Sequence, residues 1–201
     1  MKKILSIFLF ALTAMIFMSG CGQSSSSTVT TISFPASDYG KTEFNSSAYE
    51  IKPFSLSFNL PDKWSVEECK SAGEFDLLSV FSKYNIRNED NVCVGVVGYN
   101  TYKPYENAAD DPRAIYSQIA LGNDYQFNVR DTYDVINETE KGTTAVVDVL
   151  YSASINGGKE KKNKGILSNN KDSLVYVAFE FNSEKVTNEQ IEGIAKNVTF
   201  K

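Results

Sequence analysis

The chain contains no histidine among its 201 residues. Histidine is the general base of Ser-His-Asp and Cys-His catalytic groups, a common zinc ligand, and the side chain whose charge changes near neutral pH. All three uses are therefore excluded. Any catalysis would have to rely on other groups, of which the carboxylates are the most numerous.

A hydrophobic run long enough to span a membrane is also lacking. The stretch from Ile4 to Met18 is uncharged and follows Lys2 and Lys3, whereas a transmembrane helix needs about 20 apolar residues. A charged start followed by a short apolar segment is typical of a secretory signal. We therefore predict that residues 1–20 are a signal peptide.

The residues that follow the apolar run, Met18-Ser-Gly-Cys21, resemble the lipobox of bacterial lipoproteins, with Met18 in the place of the usual leucine. The resemblance implies cleavage before Cys21 and attachment of lipid to its thiol. The protein would then be held by this lipid at the extracytoplasmic face of the cell membrane. The alternative is an ordinary signal peptide with an incidental cysteine.

Positive charge is scarce in the rest of the chain. Removal of Lys2 and Lys3 with the signal leaves 18 basic against 25 acidic residues, or a net charge of −7. A chain with this net charge has no overall basic field with which to hold nucleic acid. The serine-rich stretch after the cysteine has few large apolar side chains, so we predict a lipidated, flexible tether over residues 21–47 and one domain over residues 48–201.

Only two cysteines remain in the domain, Cys69 and Cys93. Outside the cytoplasm they would form a disulfide, worth about 3 kcal/mol in the chain-entropy model, or remain two separate thiols, and the sequence leaves both alternatives open. Two thiols are too few for a structural zinc site. Asp111, which follows Asp110, is explained as a helix cap, so we predict no metal and no cofactor.

Alternating apolar and polar residues predict strands along most of the domain. Phe54 to Leu60 alternate in this way, and further strands are expected from Trp64 to near Cys69 and across 75–81, 91–99, 125–136, 143–155, 159–168 and 173–181. The polar segment 83–90 is expected to be a connection. Helices are predicted from Asp111 to Gly122 and after Thr187, where Gln190 completes a capping box. The order of these elements predicts an α+β fold.

Two segments carry a resemblance to a known family. The corner formed by Leu60, Pro61 and Trp64, together with the final strand, helix and apolar tail (173–200), is similar to the PsbP-like domain. The resemblance covers residues 48–201 and implies an α/β/α sandwich, an antiparallel sheet flanked by helices. Characterised members of the family act as binding or assembly modules, and no catalytic residues are defined in it.

Three tyrosines, Tyr99, Tyr102 and Tyr105, suggest a recognition surface. Tyrosines on a loop offer a large contact area at a low entropic cost. The alternative is that they fill the surface at a strand end. Lys159 to Lys164 form a basic cluster that would either contact anionic phospholipid or teichoic acid, or remain a solvated hairpin arm.

The sequence favours a binding or assembly module whose partner is an envelope protein, and we predict that it is not an enzyme. This prediction depends on the lipid anchor, the tether and the absence of histidine. The alternative is a cell-surface hydrolase that uses carboxylates such as Glu74, Asp76 or Asp148. A hydrolase requires a pocket with convergent polar groups and a carboxylate of perturbed pKa.

Overall fold

A computed structural model of the protein describes residues 27–39, 49–69, 83–101, 125–128, 133–151 and 161–201. These residues are mostly β-structure, with thirteen strands and one helix among them. The elements are β1 (Ser27–Phe34), β2 (Ser37–Tyr39), β3 (Tyr49–Ile51), β4 (Phe54–Pro61), β5 (Ser65–Glu68), β6 (Lys83–Arg87), β7 (Cys93–Thr101), β8 (Tyr125–Asn128), β9 (Asp134–Thr139), β10 (Gly142–Tyr151), β11 (Lys161–Asn170), β12 (Val175–Phe181), α1 (Asn188–Ala195) and β13 (Thr199–Phe200).

A small antiparallel sheet has the strand order β1-β4-β13. Its central strand, β4, was predicted from its alternating residues: Phe54, Leu56, Phe58 and Leu60 are buried. β1 pairs with β4 over its whole length, from Ser27 opposite Pro61 to Phe34 opposite Phe54, without a bulge. A separate hairpin is formed by β2 and β3.

The large sheet has the antiparallel order β5-β6-β7-β12-β11-β10-β8, and β9 also pairs with β10. All seven residues of its central strand, β12, are buried. A strand with both faces buried reads as a nearly continuous apolar run rather than an alternating one, and Val175–Phe181 has this pattern except at Glu180.

The hydrophobic core lies between the two sheets. The Phe58 ring of β4 meets the Phe179 ring of β12 edge-on, at a centroid distance of 5.1 Å. The Phe34 ring of β1 packs against Tyr99 of β7 at 4.6 Å. Such aromatic pairs contribute about 0.5–1.5 kcal/mol each beyond their buried area, so β1 is an integral part of the core.

The helix α1 forms where the capping box predicted it. The Gln190 amide N–H donates to the Thr187 hydroxyl, and the Thr187 N–H donates to the Gln190 side-chain oxygen at 3.0 Å. Ile191, Ile194 and Ala195 are its buried residues. They give α1 an apolar face that packs against β4 of the small sheet and against β9, β10 and β11 of the large one.

The predicted fold class is wrong. The described residues form two facing antiparallel sheets with one short helix, whereas the PsbP-like resemblance implied an α/β/α sandwich with flanking helices. The helix predicted from Asp111 to Gly122 lies outside the described residues. None of the helices within the described ranges has the length and apolar character needed to cross a bilayer.

The predicted tether is too long. Residues 27–34, assigned to it because of their serines and threonines, form β1. Val29, Thr30, Thr31 and Ile32 are β-branched, which favours a strand, and Ile32 and Phe34 are buried. The pairing with β4 therefore extends the folded domain to Ser27 at least.

A second local error concerns the polar segment 83–90. Its first five residues form β6, between β5 and β7. Ile86 is fully buried while its polar neighbours are partly exposed. One aliphatic side chain in five residues is a weak signal, and the strand is stabilised by its pairing with β5 and β7.

Candidate functional site: a cleft between α1 and β4

A cleft of about 510 Å³ lies between α1 and the end of β4. We call it the α1–β4 cleft. One wall is formed by Ser27, Asn59 and Pro61, at the adjacent ends of β1 and β4. Leu60 and Ile194, both buried, supply apolar lining. The volume lies within the usual range of ligand pockets, about 300–1,000 Å³.

The other wall is one side of α1, and its polar side chains are held in place by local hydrogen bonds. Asn197 donates from Nδ2 to the Gly193 carbonyl at 2.8 Å. Gln190 is fixed by the capping box with Thr187. Since each amide has both donor and acceptor atoms, Asn197 retains Oδ1 and Gln190 retains Nε2 for a ligand.

The wall formed by β1 and β4 also has a polar side chain that is held by a hydrogen bond. Asn59 donates from Nδ2 to the Ser27 hydroxyl at 3.4 Å, which links the side chains of β4 and β1 at the cleft. The charged side chain in the lining is Glu189, in the first turn of α1. The cleft therefore has a mainly apolar lining with a few amide and hydroxyl groups and one carboxylate, and it suits a ligand that offers both apolar side chains and amide groups.

Gly193 leaves this wall of the cleft open. A glycine in a helix interior costs about 1 kcal/mol relative to alanine. A Cβ atom added at Gly193 would have no non-neighbouring heavy atom within 4 Å, so packing does not require a glycine here. A larger residue at this exposed helical position would place its side chain in open space at the cleft wall.

Tyr99 does not belong to a recognition surface. It lies within β7, as predicted, but it is 0% exposed and packs against Phe34 and Phe54. Its hydroxyl donates to the Pro35 carbonyl at 3.5 Å. The interpretation of Tyr99 as part of a partner surface is therefore wrong, while Tyr102 and Tyr105 lie outside the described residues.

Cys69 and Cys93 are not joined by a disulfide in this structure. Cys93 is level with Arg87, which is level with Ser65, whereas Cys69 follows the other end of β5. Four residues along a strand and two strand spacings separate the two Cα atoms by roughly 16 Å, far beyond the limit of about 7 Å for bridged cysteines. Of the two alternatives, the structure has two separate thiols.

Asp148 is a buried carboxylate held by two lysines. Its side chain is 1% exposed and forms ion pairs with Lys162 and with Lys164, the latter at 2.7 Å. Burial raises the pKa of Asp148, but the hydrogen bonds and charges of Lys162 and Lys164 outweigh it and hold the pKa below its ordinary value. Asp148 is thus kept ionised, which is unsuitable for a general acid.

A second buried carboxylate, Glu180, was missed in the sequence. It accepts a hydrogen bond from Asn163 Nδ2. Glu180 lies opposite Gly165, whereas Asp148 lies opposite Lys164. Adjacent residues of a strand point to opposite faces, so Asp148 and Glu180 are on opposite faces of the large sheet and do not form a carboxylate pair.

The other two carboxylates proposed for a hydrolase, Glu74 and Asp76, lie outside the described residues, as does the lipidation site Cys21. Within the ranges that the structure describes, no three carboxylate or thiol side chains are grouped closely enough to hold a metal ion. The cleft residues Asn59, Gly193 and Asn197 were not identified from the sequence. The one available signal was a glycine within a predicted amphipathic helix.

No protein-family model matches the chain, and no curated protein is significantly similar to it. The resemblance to the PsbP-like domain accordingly stays a prediction, and the function has to be argued from the chain's own residues.

Proposed function

We propose that this protein is a lipid-anchored module of the cell envelope that binds another envelope protein through the α1–β4 cleft. The single observation that carries the proposal is the open cleft of about 510 Å³ between α1 and β4, whose mainly apolar lining includes the side-chain amides of Asn59, Gln190 and Asn197. Its lining suits an extended peptide segment, because a peptide backbone offers the N–H and carbonyl groups that Asn59, Gln190 and Asn197 can bond.

The position of the cleft along the chain supports this proposal. Ser27 lines the cleft and lies six residues after Cys21. An extended chain spans at most about 3.3–3.6 Å per residue, so a lipid on Cys21 would keep Ser27 within about 20 Å of its attachment point. A cleft within about 20 Å of the lipid could contact proteins that are embedded in the same membrane or lie on its surface.

The alternative function, a carboxylate-dependent hydrolase, has less support. Asp148 is buried and ion-paired with Lys162 and Lys164, so its carboxylate is not accessible to a substrate. The carboxylate that does line the cleft, Glu189, has no second carboxylate beside it in the lining. The described residues therefore offer no acid–base pair in the cleft.

The proposal is tested by filling the cleft from Gly193. Membranes carrying the wild-type protein, Gly193→Trp or Gly193→Ala are cross-linked, and the proteins recovered with each are quantified. We expect Gly193→Trp to reduce recovery of specific partners at least tenfold, because the indole would occupy the cleft. Gly193→Ala is the matched control and should leave recovery unchanged.

Equal recovery with both variants would contradict a role for the cleft. Thermal unfolding of the two variants shows whether the tryptophan has disturbed the fold. Since the space beside Gly193 is open, both variants are expected to unfold at or above the wild-type midpoint.

A further inference from the structure

The outer edge of the small sheet lies beside the cleft, with which it shares Ser27. β1 is the outer strand in the order β1-β4-β13, and in the described part of the chain no strand pairs with its far side. Its eight residues, STVTTISF, include no charge and no proline, and its register with β4 has no bulge. Charges, prolines and bulges are the features by which edge strands normally prevent pairing with other chains, and β1 has none of them.

The backbone groups available on this edge follow from the hydrogen bonds of β4. The Ser55 N–H and carbonyl both bond to Lys201, so the odd-numbered residues of β4 face β13 and the even-numbered ones face β1. The even-numbered residues of β1 lie opposite these. In an antiparallel ladder the bonding direction alternates, so the backbone groups of Ser27, Val29, Thr31 and Ser33 point away from the sheet.

We infer that β1 pairs in antiparallel fashion with β1 of a second copy of this chain. Pairing Ser27 with Ser33 of the second copy, and Val29 with Thr31, uses all four outward-facing residues of each strand. The two-fold axis then passes between the two Thr30 residues. Because the strand is uncharged, the pairing brings no like charges together, and Val29, which is 67% exposed, is partly covered by its neighbour.

The length of chain between β1 and the predicted anchor fits this arrangement. The two-fold axis of an antiparallel pair runs perpendicular to the sheet, so both Ser27 residues lie at the same height along it. The six residues to Cys21 reach about 20 Å, which allows both lipids to enter one bilayer. Confinement to a membrane raises the effective concentration of an otherwise small interface; this step rests on the proposed anchor, which fatty-acid labelling tests separately.

The pairing is tested by disulfide formation between copies in intact membranes. In a chain with Cys69 and Cys93 replaced by alanine, Thr30→Cys places two thiols across the axis, with their Cα atoms about 4.5 Å apart. Oxidation with copper–phenanthroline should then give a dimer on a non-reducing gel. Thr28→Cys is the matched control, because its two Cα atoms would be about 14 Å apart, too far for a bond.

We expect at least ten times more dimer from Thr30→Cys than from Thr28→Cys. Adding Val29→Lys, which places a charge on the edge, should reduce the Thr30→Cys dimer tenfold. Val135→Lys is the control for charge, because Val135 is also an exposed strand residue, at 46%, but lies on β9.

Three results would overturn the inference. The first is an absence of dimer from Thr30→Cys when alkylation shows that its thiol is accessible. The second is equal dimer from Thr28→Cys, which indicates random collision. The third is a disulfide adduct with a different protein, which would show that β1 pairs with another partner.

Discussion

At the scale of single residues, the surroundings of Asp148 decide its role. The sequence places it in a strand with alternating neighbours and offers it as a catalytic carboxylate. The register of β10 against β11 places Asp148 directly opposite Lys164, with Lys162 two residues away. A buried charge needs such partners, so the structure explains Asp148 as part of an ion-pair cluster.

We predict that Asp148→Asn lowers the free energy of unfolding by about 2 kcal/mol at pH 7. Breaking a buried ion pair costs about 3–5 kcal/mol, and the value is reduced because Lys162 is largely exposed. The lowered pKa means that this stabilisation is complete above the unfolded-state pKa, about 3.9, and is lost as the pH falls through the folded-state value. Urea unfolding as a function of pH measures both effects.

The matched control for this prediction is Asp172→Asn. Asp172 forms an exposed ion pair with Lys141 at 3.3 Å, and exposed pairs contribute about 0–1 kcal/mol. A loss of stability in Asp148→Asn no larger than in this control would contradict the assigned role. So would an unchanged pH dependence.

At the scale of elements, alternation identified the strands with one buried face and the capping box identified α1. β4 and α1 were predicted within a residue or two of their observed bounds. β1 and β6 were missed because each has few apolar side chains and depends on neighbouring strands. Tyr99 also depends on residues from other strands. The sequence places it in a strand, but only its packing against the rings of Phe34 and Phe54 shows that it belongs to the core.

We predict that a chain beginning at Ser27 keeps its thermal midpoint within about 2 °C of the mature chain, whereas a chain beginning at Pro35 unfolds at a much lower temperature. The longer truncation removes β1 with its buried Ile32 and Phe34, each worth about 1.5–3 kcal/mol of burial. Calorimetry of the two chains measures the difference. A tether over residues 21–47 would instead make both truncations neutral.

A single substitution provides the control if the shorter chain is insoluble. Phe34→Ala should lower the free energy of unfolding by about 3–5 kcal/mol, as is usual for a buried phenylalanine. Ser33→Ala, at the exposed neighbouring position, should change it by less than about 0.5 kcal/mol. Similar values for the two would show that β1 contributes little to the core.

At the scale of the whole molecule, the start of the folded domain and the predicted anchor limit the distance between the domain and the membrane. With β1 folded, only residues 22–26 separate Cys21 from the domain. The lipid would therefore hold the domain close to the membrane surface, with the α1–β4 cleft near the point of attachment. This geometry favours partners within the same membrane over distant ones.

We predict that Cys21→Ala abolishes incorporation of a fatty-acid analogue and releases the protein from the membrane. The physical reason is that hydrocarbon insertion contributes about 0.8 kcal/mol for each buried methylene, which the variant loses. Metabolic labelling followed by membrane fractionation measures both effects. Cys69→Ala and Cys93→Ala are the controls and should retain the label, whereas label persisting on Cys21→Ala would contradict the lipoprotein interpretation.

The sequence by itself determined the features that depend on neighbouring residues along the chain. These are the apolar run and cysteine of the predicted lipoprotein signal, the alternating strand β4, and the capping box of α1. The sheet order, the burial of Tyr99, the pairing of Asp148 with its lysines and the α1–β4 cleft were decided only by the tertiary structure. Each of them depends on contacts between residues far apart in the chain, and a local pattern carries no information about which distant strand or side chain will lie opposite.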